Sequence, residues 1–407
     1  MSTPILRSRS HVTAMALIGF SVLIGLIAGC QDAIPTAQPT PMSLPTITRT
    51  SRPITPTAAA SPTRAATWTP TPDARIQTTF AADVNPLTGA KVTDPNVLNR
   101  RPLAVKISNY PPEVRPQRGL SQADLVFEHI LEGVTRLTAV FYSQMPELVG
   151  SVRSARYLDL EIPSMYKSFF AYSGASGGIK LKIQNAPWFN RVMSPDFGVP
   201  DSGDPFARIP EGNKAYEHTL FAKPALLYKW VQTHGMDNSR QNLQGMAFSD
   251  VPIGSSQPAS GVVISYTWRS PHPAEIVRWR YDTATGHYLR STDGMPWTDA
   301  NNNRPVSAAN VIVVYANHVT DCQIQENPLG IDPDCKTPGQ FSIQIQIWGE
   351  GPVQIIRDGK VQSGRWIRIN PTDMLAFVGA DGKPLPLKRG NSWFQMVPFD
   401  ALVQIEP

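Results

Sequence analysis

The pattern of hydrophobic and polar positions divides the 407-residue chain into parts of different character. An uncharged apolar run lies near the start, a stretch rich in Pro, Thr, Ser and Ala follows, and alternating apolar patterns begin near residue 85. The remaining length exceeds what one hydrophobic core usually serves. We therefore predict a signal peptide over 1–29, a tether over 30–84, a mixed α/β domain over 85–240 and a β-rich domain over 258–407.

The first folded part mixes strand and helix signals. RPLAVKISN and SFFAYS predict strands, and ADLVFEHILE and TRLTAVFYSQ, separated by Gly133-Val134, predict a β-hairpin. A short helix is predicted from Ser154 to Ile162, ended by Pro163, and KPALLYKWVQTHG has helical spacing. These elements predict an α+β fold with α/β-like layers.

The second folded part is dominated by strand patterns. Its apolar and alternating runs, such as GVVISYTW, NVIVVYANHV and SWFQMVPF, are separated by turns such as TATG, RDGK and ADGK. This pattern predicts an all-β antiparallel sandwich or barrel. The polar stretch over 237–260 is the predicted boundary between the two domains.

The N-terminal residues indicate where the protein resides. Arg7 and Arg9 precede the apolar run, which ends in Ile27-Ala28-Gly29-Cys30 and resembles a bacterial lipobox, where the cysteine receives lipid. The alternative is an uncleaved transmembrane helix. We predict a protein anchored through Cys30 on the extracytoplasmic face of the bacterial cell membrane, with a disordered tether.

Charge and cysteine content narrow the classes of partner. The net charge of +5 falls to +2 from residue 85 onward, where 31 Lys and Arg face 29 Asp and Glu, so we predict no nucleic-acid binding. Cys322 and Cys335 form an even pair in an oxidising compartment and predict a disulfide. A metal site is the alternative, but the histidines are scattered, and we predict no metal or cofactor.

Several motifs in order resemble one family. NPLTG, RPLAVKISN, GLSQADLVFEHILEGVTRLTAVF and GSVRSAR, followed by YDTATGHYLRSTDGMPW, RDGKVQSGRW and KRGNSWFQMVP, are similar to the YerB-like lipoproteins. The resemblance covers about residues 85–407 in two modules of unknown function. It implies family membership and no particular activity.

The chain departs from the family pattern in two places. The hairpin turn over Glu132 to Arg136 is one glycine shorter than the E-G-G-x-T-R of relatives. The strand ending in Tyr172 and Ser173 lacks the histidine of the relatives' H-x-G-G-S. Any shared mechanism that uses this histidine is therefore put in doubt for this chain.

GSVRSAR, over residues 150–156, predicts an anion site. Arg153 and Arg156 lie three positions apart with no acidic residue between them. If a helix begins at Ser151 or Ser154, free N–H groups and two guanidiniums would face a phosphate, carboxylate or acidic glycan. The alternative is internal pairing with acidic residues, namely Glu128, Glu132 or Asp124. An extended segment would point the two arginines to opposite faces.

The hairpin could supply partners for these arginines. Glu128 and Glu132 are predicted on one strand face, and Arg136 begins the returning strand. A two-residue turn places Arg136 on the other side, and a three-residue turn places it on theirs. The two carboxylates are candidate acid and base groups, with a structural cluster as the alternative.

The stretch Ser173 to Gly178 offers a second chemistry. Gly174-Ala175-Ser176-Gly177-Gly178 fits G-x-S-x-G between a strand and a possible helix, so Ser176 is a candidate nucleophile. The alternative is a glycine-rich turn that lines the arginine site through Ser173, Gly174 and Ser176.

Three functional hypotheses follow. The first is binding of an anionic envelope glycan, phosphate or envelope protein through Arg153, Arg156 and Arg136, without catalysis. The second is an envelope hydrolase that uses Ser176 or the Glu128/Glu132 pair. The third is a structural or interaction lipoprotein. Six tryptophans of the second part could form a glycan-stacking face or a core: Trp268, Trp279, Trp297, Trp348, Trp366 and Trp393.

Overall fold

The computed structural model describes residues 79–251, 256–266, 275–326, 334–337 and 340–407. The predicted signal peptide, Cys30, most of the predicted tether and Trp268 lie outside these residues. No helix within the described ranges is both long enough and apolar enough to cross a bilayer. Residues 79–251 are called the N-terminal module below, and residues 256–407 the C-terminal module.

The described part of the N-terminal module contains strands, three α-helices and short 3-10 helices. The strands are β1 Leu103–Ser108, β2 Leu125–Leu131, β3 Val134–Phe141, β4 Val149–Gly150, β5 Phe169–Ala171, β6 Val192–Met193, β7 Phe206–Arg208 and β8 Leu220–Ala222. The α-helices are α1 Ile162–Met165, α2 Gly177–Gln184 and α3 Pro224–Thr233. The 3-10 helices are Pro95–Leu98, Pro112–Val114, Leu120–Gln122, Tyr157–Leu160, Phe189–Arg191, Pro195–Phe197 and Tyr216–His218.

The described part of the C-terminal module consists of strands. They are β9 Gln257–Pro258, β10 Gly261–Tyr266, β11 Glu275–Asp282, β12 His287–Thr292, β13 Met295–Pro296, β14 Ser307–Ala308, β15 Asn310–Tyr315, β16 Asn317–Gln325, β17 Phe341–Gln346, β18 Gly349–Arg357, β19 Lys360–Arg368, β20 Ala376–Val378, β21 Ser392–Val397 and β22 Leu402–Glu406.

One mixed sheet runs through both modules. Its strand order is β20-β19-β18-β15-β21-β2-β3-β1-β5-β6, and β9 pairs with β19. Strand β2 pairs antiparallel with β3 of its own module and parallel with β21 of the other module. Since the ladder hydrogen bonds do not stop at the boundary between the modules, the two modules share one backbone framework.

Side-chain alternation gives this sheet two buried faces. Val126 and Ile130 of β2 enter one core, and Leu125 and Phe127 enter the other. The first core is covered by the antiparallel sheet β13-β12-β11-β10-β22, by the sheet β4-β8-β7 and by α3. The second core is covered by α1, α2 and the hairpin β16-β17. The central sheet is therefore the middle layer of three.

The fold class and most elements agree with the sequence-based predictions. The mixed sheet of the N-terminal module and the largely antiparallel C-terminal module confirm the predicted α+β and all-β parts. The pairing of β15 with β21 is parallel, which differs from the antiparallel sandwich that the sequence predicted. The predicted disulfide is confirmed: Cys322 and Cys335 are joined, with Cα atoms 5.5 Å apart.

Tryptophan packing favours the core interpretation. Trp279, Trp297, Trp366 and Trp393 are buried, whereas Trp348 is 45% exposed. Trp366 donates its indole N–H to the carbonyl of Tyr315, which satisfies the polar atom inside the core. The four buried rings cannot form a glycan-stacking surface.

The predicted helix from Ser154 to Ile162 is wrong in its bounds. Tyr157–Leu160 is a 3-10 helix, and α1 follows it with Pro163 in its first turn. Proline is tolerated there because the first N–H groups of a helix have no intrahelical partner. Pro163 therefore begins a helix where the sequence pattern predicted an end.

The segment that joins the modules is packed against both. Leu243 and Met246 are buried, and the N–H of Ser249 donates to the carbonyl of Leu387 at 2.9 Å. Asn238 accepts a hydrogen bond from the N–H of Arg101 at 2.9 Å. The polar segment is therefore packed into the fold, and the division into two domains at 237–260 stays a prediction.

We expect the N-terminal module alone to fail to fold cooperatively. A fragment of residues 79–251 lacks β21, so β2 would expose a full ladder of unpaired N–H and C=O groups and an apolar face. Urea unfolding followed by circular dichroism should show no cooperative transition for the fragment and one for residues 79–407. A sharp transition and protected β2 amides in the fragment would contradict this expectation.

Candidate functional site

The GSVRSAR segment is extended rather than helical. The N–H of Arg153 donates to the carbonyl of Lys106, and the N–H of Ser173 donates to the carbonyl of Arg153, both at 3.1 Å. Asp159 accepts the N–H of Arg156 at 2.7 Å, at the start of Tyr157–Leu160. The predicted start of a helix at Ser151 or Ser154 is therefore wrong, whereas an anion site at these arginines stays a prediction.

Arg156 is paired with carboxylates of the protein. Its Nε and Nη2 donate to the two carboxylate oxygens of Glu132 at 2.7 and 2.9 Å, and its Nε lies 3.3 Å from Glu326. The three side chains are 11%, 14% and 2% exposed, respectively. A planar bidentate pair of this kind has well-defined geometry. Arg156 therefore fits the internal-pairing alternative better than the ligand-anchor hypothesis.

The hairpin turn places Glu132 beside Arg156. Leu131 pairs with Val134, so the turn consists of Glu132 and Gly133, which both have positive φ (30° and 89°). Two positive φ angles suit the right-handed twist of a hairpin and favour glycine at Gly133. Glu132 lies in the turn, so the prediction that it shares a strand face with Glu128 is wrong.

Arg136 and Arg153 are bound differently from Arg156. Arg136 donates from Nη1 to the carbonyl of Ser154 at 3.2 Å, and Arg153 donates from Nη1 to the carbonyl of Glu217 at 3.3 Å. Within the described residues, neither has a carboxylate at ion-pair distance, and the buried Nε of Arg153 has no hydrogen-bond partner. Both side chains are partly buried. Two guanidiniums thus keep unneutralised charge.

The electrostatic environment opposes these two charges. Burial, followed by the charge of Arg156, lowers the pKa of Arg136 well below its usual range, although Glu132 and Glu326 oppose this shift. Burial also lowers the pKa of Arg153, and Arg156 adds to this effect while Glu217 opposes it. An anion held between the two guanidiniums would offset both the lost hydration and the like-charge repulsion.

A buried polar cluster that the sequence analysis missed lies on the same sheet face. Lys106 Nζ is 2.8 Å from Asp159, 2.7 Å from His129 Nε2 and 3.2 Å from Thr138 Oγ1. Burial lowers the pKa of Lys106 to about 8, although Asp159 opposes this shift. The signal in the sequence was a lysine and a histidine inside apolar strands, at VKIS and FEHI.

His129 is neutral in this cluster. Burial, followed by the charge of Lys106, lowers the pKa of His129 well below its usual range. Its Nε2 can then accept from the Lys106 ammonium while Nδ1, 3.3 Å from the carbonyl of Ile130, carries the proton. Asp159 connects this cluster to the arginines, because it also accepts the N–H of Arg156.

The glycine-rich stretch lines the cluster of Arg136, Arg153 and Arg156 without forming a catalytic triad. Ser176 precedes α2, as predicted, and its hydroxyl donates to Glu326 at 2.9 Å. No imidazole is within hydrogen-bond distance of Ser176 among the described side chains. Gly174 has a φ of 83°, and a Cβ there would lie 2.9 Å from Ser154 Oγ. These contacts favour the turn interpretation over the nucleophile.

Glu326 joins the C-terminal module to this site. Its carboxylate accepts from Ser176 and from Ser342, and it pairs with Arg156. Burial raises the pKa of Glu326, although Arg156 opposes this shift. No motif indicated Glu326, because Ser176 and Arg156 lie 150 residues or more earlier in the chain.

Glu128 lies on the opposite face of the sheet. Arg290 of β12 donates two hydrogen bonds of 2.8 Å to it, and Trp393 and Gln395 donate at 3.1 and 3.0 Å. The Arg290 guanidinium also lies between 4.6 and 5.3 Å from three tryptophan rings. Glu128 therefore neither pairs with the GSVRSAR arginines nor forms an acid–base pair with Glu132.

A second buried carboxylate, Glu275, adjoins Glu128. It accepts from Asn109, from Thr135 at 2.8 Å and from Arg115 at 3.0 Å. Burial, followed by the charge of Glu128, raises the pKa of Glu275 to about 7. This network connects β11 and β12 of the C-terminal module with β2 and β3 of the N-terminal module.

Comparison with known proteins identifies the family. The model of the N-terminal domain of DUF3048, a protein family of unknown function, matches residues 87–237, and the C-terminal domain model matches 262–394. The chain belongs to the DUF3048 family. It is 31% identical over 316 residues to a Bacillus subtilis (strain 168) protein named "Putative lipoprotein YerB", covering 77% of this chain and 86% of that protein.

A solved structure shows the same fold. The crystal structure of YerB protein from Bacillus subtilis matches with a TM-score of 0.64 and 30% identity, over 79% of this chain and 99% of that chain. The resemblance of the motifs to the YerB-like family is thus confirmed. In this DUF3048 protein, the matched regions contain both polar networks described above, apart from Gln395.

We expect Arg290→Met to destabilise this DUF3048 protein strongly. The substitution leaves Glu128 charged and buried without its partner, which costs about 3–5 kcal/mol in comparable pairs. Glu128→Gln/Arg290→Met should recover part of the loss, because neither charge is then left alone. Urea unfolding of both variants measures the difference in unfolding free energy. A double variant no more stable than Arg290→Met would contradict the role of Arg290 as the partner of the buried Glu128 charge.

Glu275 should make stability depend on pH. Its folded-state pKa of about 7 lies above its ordinary 4.5. The folded protein therefore keeps a proton that the unfolded chain loses. The stability that this proton contributes is lost as the pH rises from 4.5 to 7. Titration of Glu275 alone should lower the unfolding free energy by about 3 kcal/mol over this pH range.

Glu275→Gln removes this titration. The unfolding free energy of the variant minus that of the wild type should increase by about 3 kcal/mol between pH 4.5 and pH 7. Urea titrations at four pH values measure it, with Glu147→Gln at an exposed position as the control. A difference that stays constant with pH would contradict the raised pKa.

Proposed function

We propose that this protein binds an anionic cell-envelope ligand through Arg136 and Arg153. Lipid on Cys30 would hold it on the extracytoplasmic face of the bacterial cell membrane. The lipobox-like ending over 27–30 supports this anchor, and so does the name of the Bacillus subtilis relative. The tether would let the folded modules reach ligands away from the bilayer surface.

The observation that carries the proposal is the unneutralised charge of Arg136 and Arg153. In the part of the chain that the structure describes, each guanidinium is held by a main-chain carbonyl and by no carboxylate. Partly buried charges without a partner are costly, so proteins generally pair them. Guanidinium groups bind phosphate and carboxylate oxygens with two parallel hydrogen bonds, which makes such an anion the fitting partner.

Arg156 supports the site instead of binding the ligand. Its pairing with Glu132 and Glu326 fixes the hairpin turn and the end of β16 around the GSVRSAR segment. Ser173 and Gly174 hold Arg153 and Ala155 through main-chain hydrogen bonds, and Ser176 positions Glu326. The C-terminal module would serve as the scaffold that supplies Glu326.

We expect Arg136→Gln and Arg153→Gln each to weaken anion binding by about tenfold or more, because each removes a charged hydrogen-bond donor. Calorimetric titration at low salt with a poly(glycerol phosphate) chain and with citrate measures the affinities. The unfolding free energy should change little, since no carboxylate loses its partner.

Two further variants separate binding from stability. Arg156→Gln should lower the unfolding free energy, because Glu132 and Glu326 lose their cation. Arg304→Gln, at an exposed position of the C-terminal module, is the matched control for the lost charge. Binding that is absent in the wild type, or unchanged in both Arg136→Gln and Arg153→Gln, would refute the proposed site.

A further inference from the structure

An exposed aromatic ring belongs to the turn that contacts Arg153 of the proposed anion site. Tyr216 belongs to the 3-10 helix Tyr216–His218 and is 69% exposed. The guanidinium of Arg208 lies 3.8 Å from the centre of its ring, so one face is covered. The exposure therefore comes from the other face and the edge of the ring, which are open to a ligand.

Main-chain carbonyls place the Tyr216–His218 turn next to Arg153. The carbonyl of Tyr216 accepts from Arg208 Nη1 at 3.0 Å, and the carbonyl of Glu217 accepts from Arg153 Nη1 at 3.3 Å. Consecutive Cα atoms are about 3.8 Å apart. The two guanidiniums are thus held by neighbouring carbonyls of one short turn, and Tyr216 is part of that turn.

The next residue in the turn adds an unused polar atom. His218 is 6% exposed, and its Nδ1 has no hydrogen-bond partner among the described residues. Burial, followed by the charge of Arg153, lowers the pKa of His218, and Arg136 acts in the same direction. The imidazole is thus neutral and buried near both arginines, and its Nδ1 is not open to a ligand.

We propose that the anionic ligand is a saccharide that carries a phosphate or carboxylate group. This inference rests on the proposed function. The acidic group would bind Arg153 and Arg136, and the open face of Tyr216 would pack against the C–H face of the sugar ring. Concave sites for small ligands commonly combine an aromatic surface with a few polar groups that fix orientation.

The test compares ligands with the same charge that differ in the sugar ring. Full-length protein in detergent is titrated calorimetrically with glucose 6-phosphate against glycerol 3-phosphate, and with glucuronate against glycerate. The sugar compound of at least one pair should bind about fivefold more tightly or better. The phosphate and carboxylate pairs distinguish the two kinds of acidic group.

Variants of Tyr216 locate the effect. Tyr216→Ala should abolish the advantage of the sugar compound and leave binding of the matched non-sugar anion unchanged, while Tyr216→Phe should keep it because the ring remains. Phe399→Ala removes an exposed ring, 60% exposed, from the C-terminal module and is the matched control. Thermal unfolding of each variant shows that the fold is retained.

The outcomes separate the two proposals. Equal affinity for the sugar and non-sugar anions, with binding still lost in Arg153→Gln, would overturn the saccharide inference and leave the anion site standing. Equal affinity of wild type and Tyr216→Ala for the sugar compound would also overturn it. Failure of all four compounds to bind the wild type would overturn this inference, and failure of poly(glycerol phosphate) and citrate as well would overturn the proposed function with it.

Discussion

Strand β2 forms its ladder with β3 on one side and with β21, more than 250 residues later in the chain, on the other. This parallel pairing places Phe127 and Phe394 in stacked contact at 4.3 Å and Glu128 beside Gln395. Both hydrophobic cores depend on it, because both buried faces of the central sheet continue across this junction. The Glu128–Arg290 pair adds a specific polar contact to the apolar packing there.

The alternation of side chains along β2 separates two polar networks. Glu128 points towards Arg290 and the tryptophans, whereas its neighbour His129 points towards Lys106 and the cluster of Arg136, Arg153 and Arg156. In the first network, the carboxylates of Glu128 and Glu275 accept hydrogen bonds from side chains of both modules. The second network leaves the charges of Arg136 and Arg153 unneutralised. The central sheet thus carries a structural network on one face and the candidate binding site on the other.

Arginines of one short motif have different roles because of their distant neighbours. Arg156 is neutralised by Glu132 in the hairpin turn and by Glu326 in the C-terminal module. Arg153, three residues earlier, reaches a main-chain carbonyl of the Tyr216–His218 turn instead. The spacing of the two arginines could not reveal this difference, because neither Glu326 nor the Tyr216–His218 turn is close to GSVRSAR in sequence.

The sequence by itself determined the local features of this protein. Apolar-rich runs predicted β2 and β3, and apolar or alternating runs predicted the strands of the C-terminal module. The cysteine pair predicted the disulfide, and the ordered motifs indicated the family. These features depend on periodicity and on residue type, which are readable within a short window. The bounds of the Ser154–Ile162 helix were wrong, because Pro163 can begin a helix as well as end one.

Only the tertiary structure decided which charges are paired. The two-residue turn decides which face of the sheet each side chain of the hairpin occupies. The parallel pairing of β2 with β21 and the contact of Glu326 with Arg156 bring together residues that are far apart in the chain. Pairing of a buried charge depends on its complete surroundings, and a change of one residue in a turn moves a side chain to the other face of a sheet. Arg136 and Arg153 therefore became candidate ligand anchors, and Arg156 part of the framework, only when all three layers were assembled.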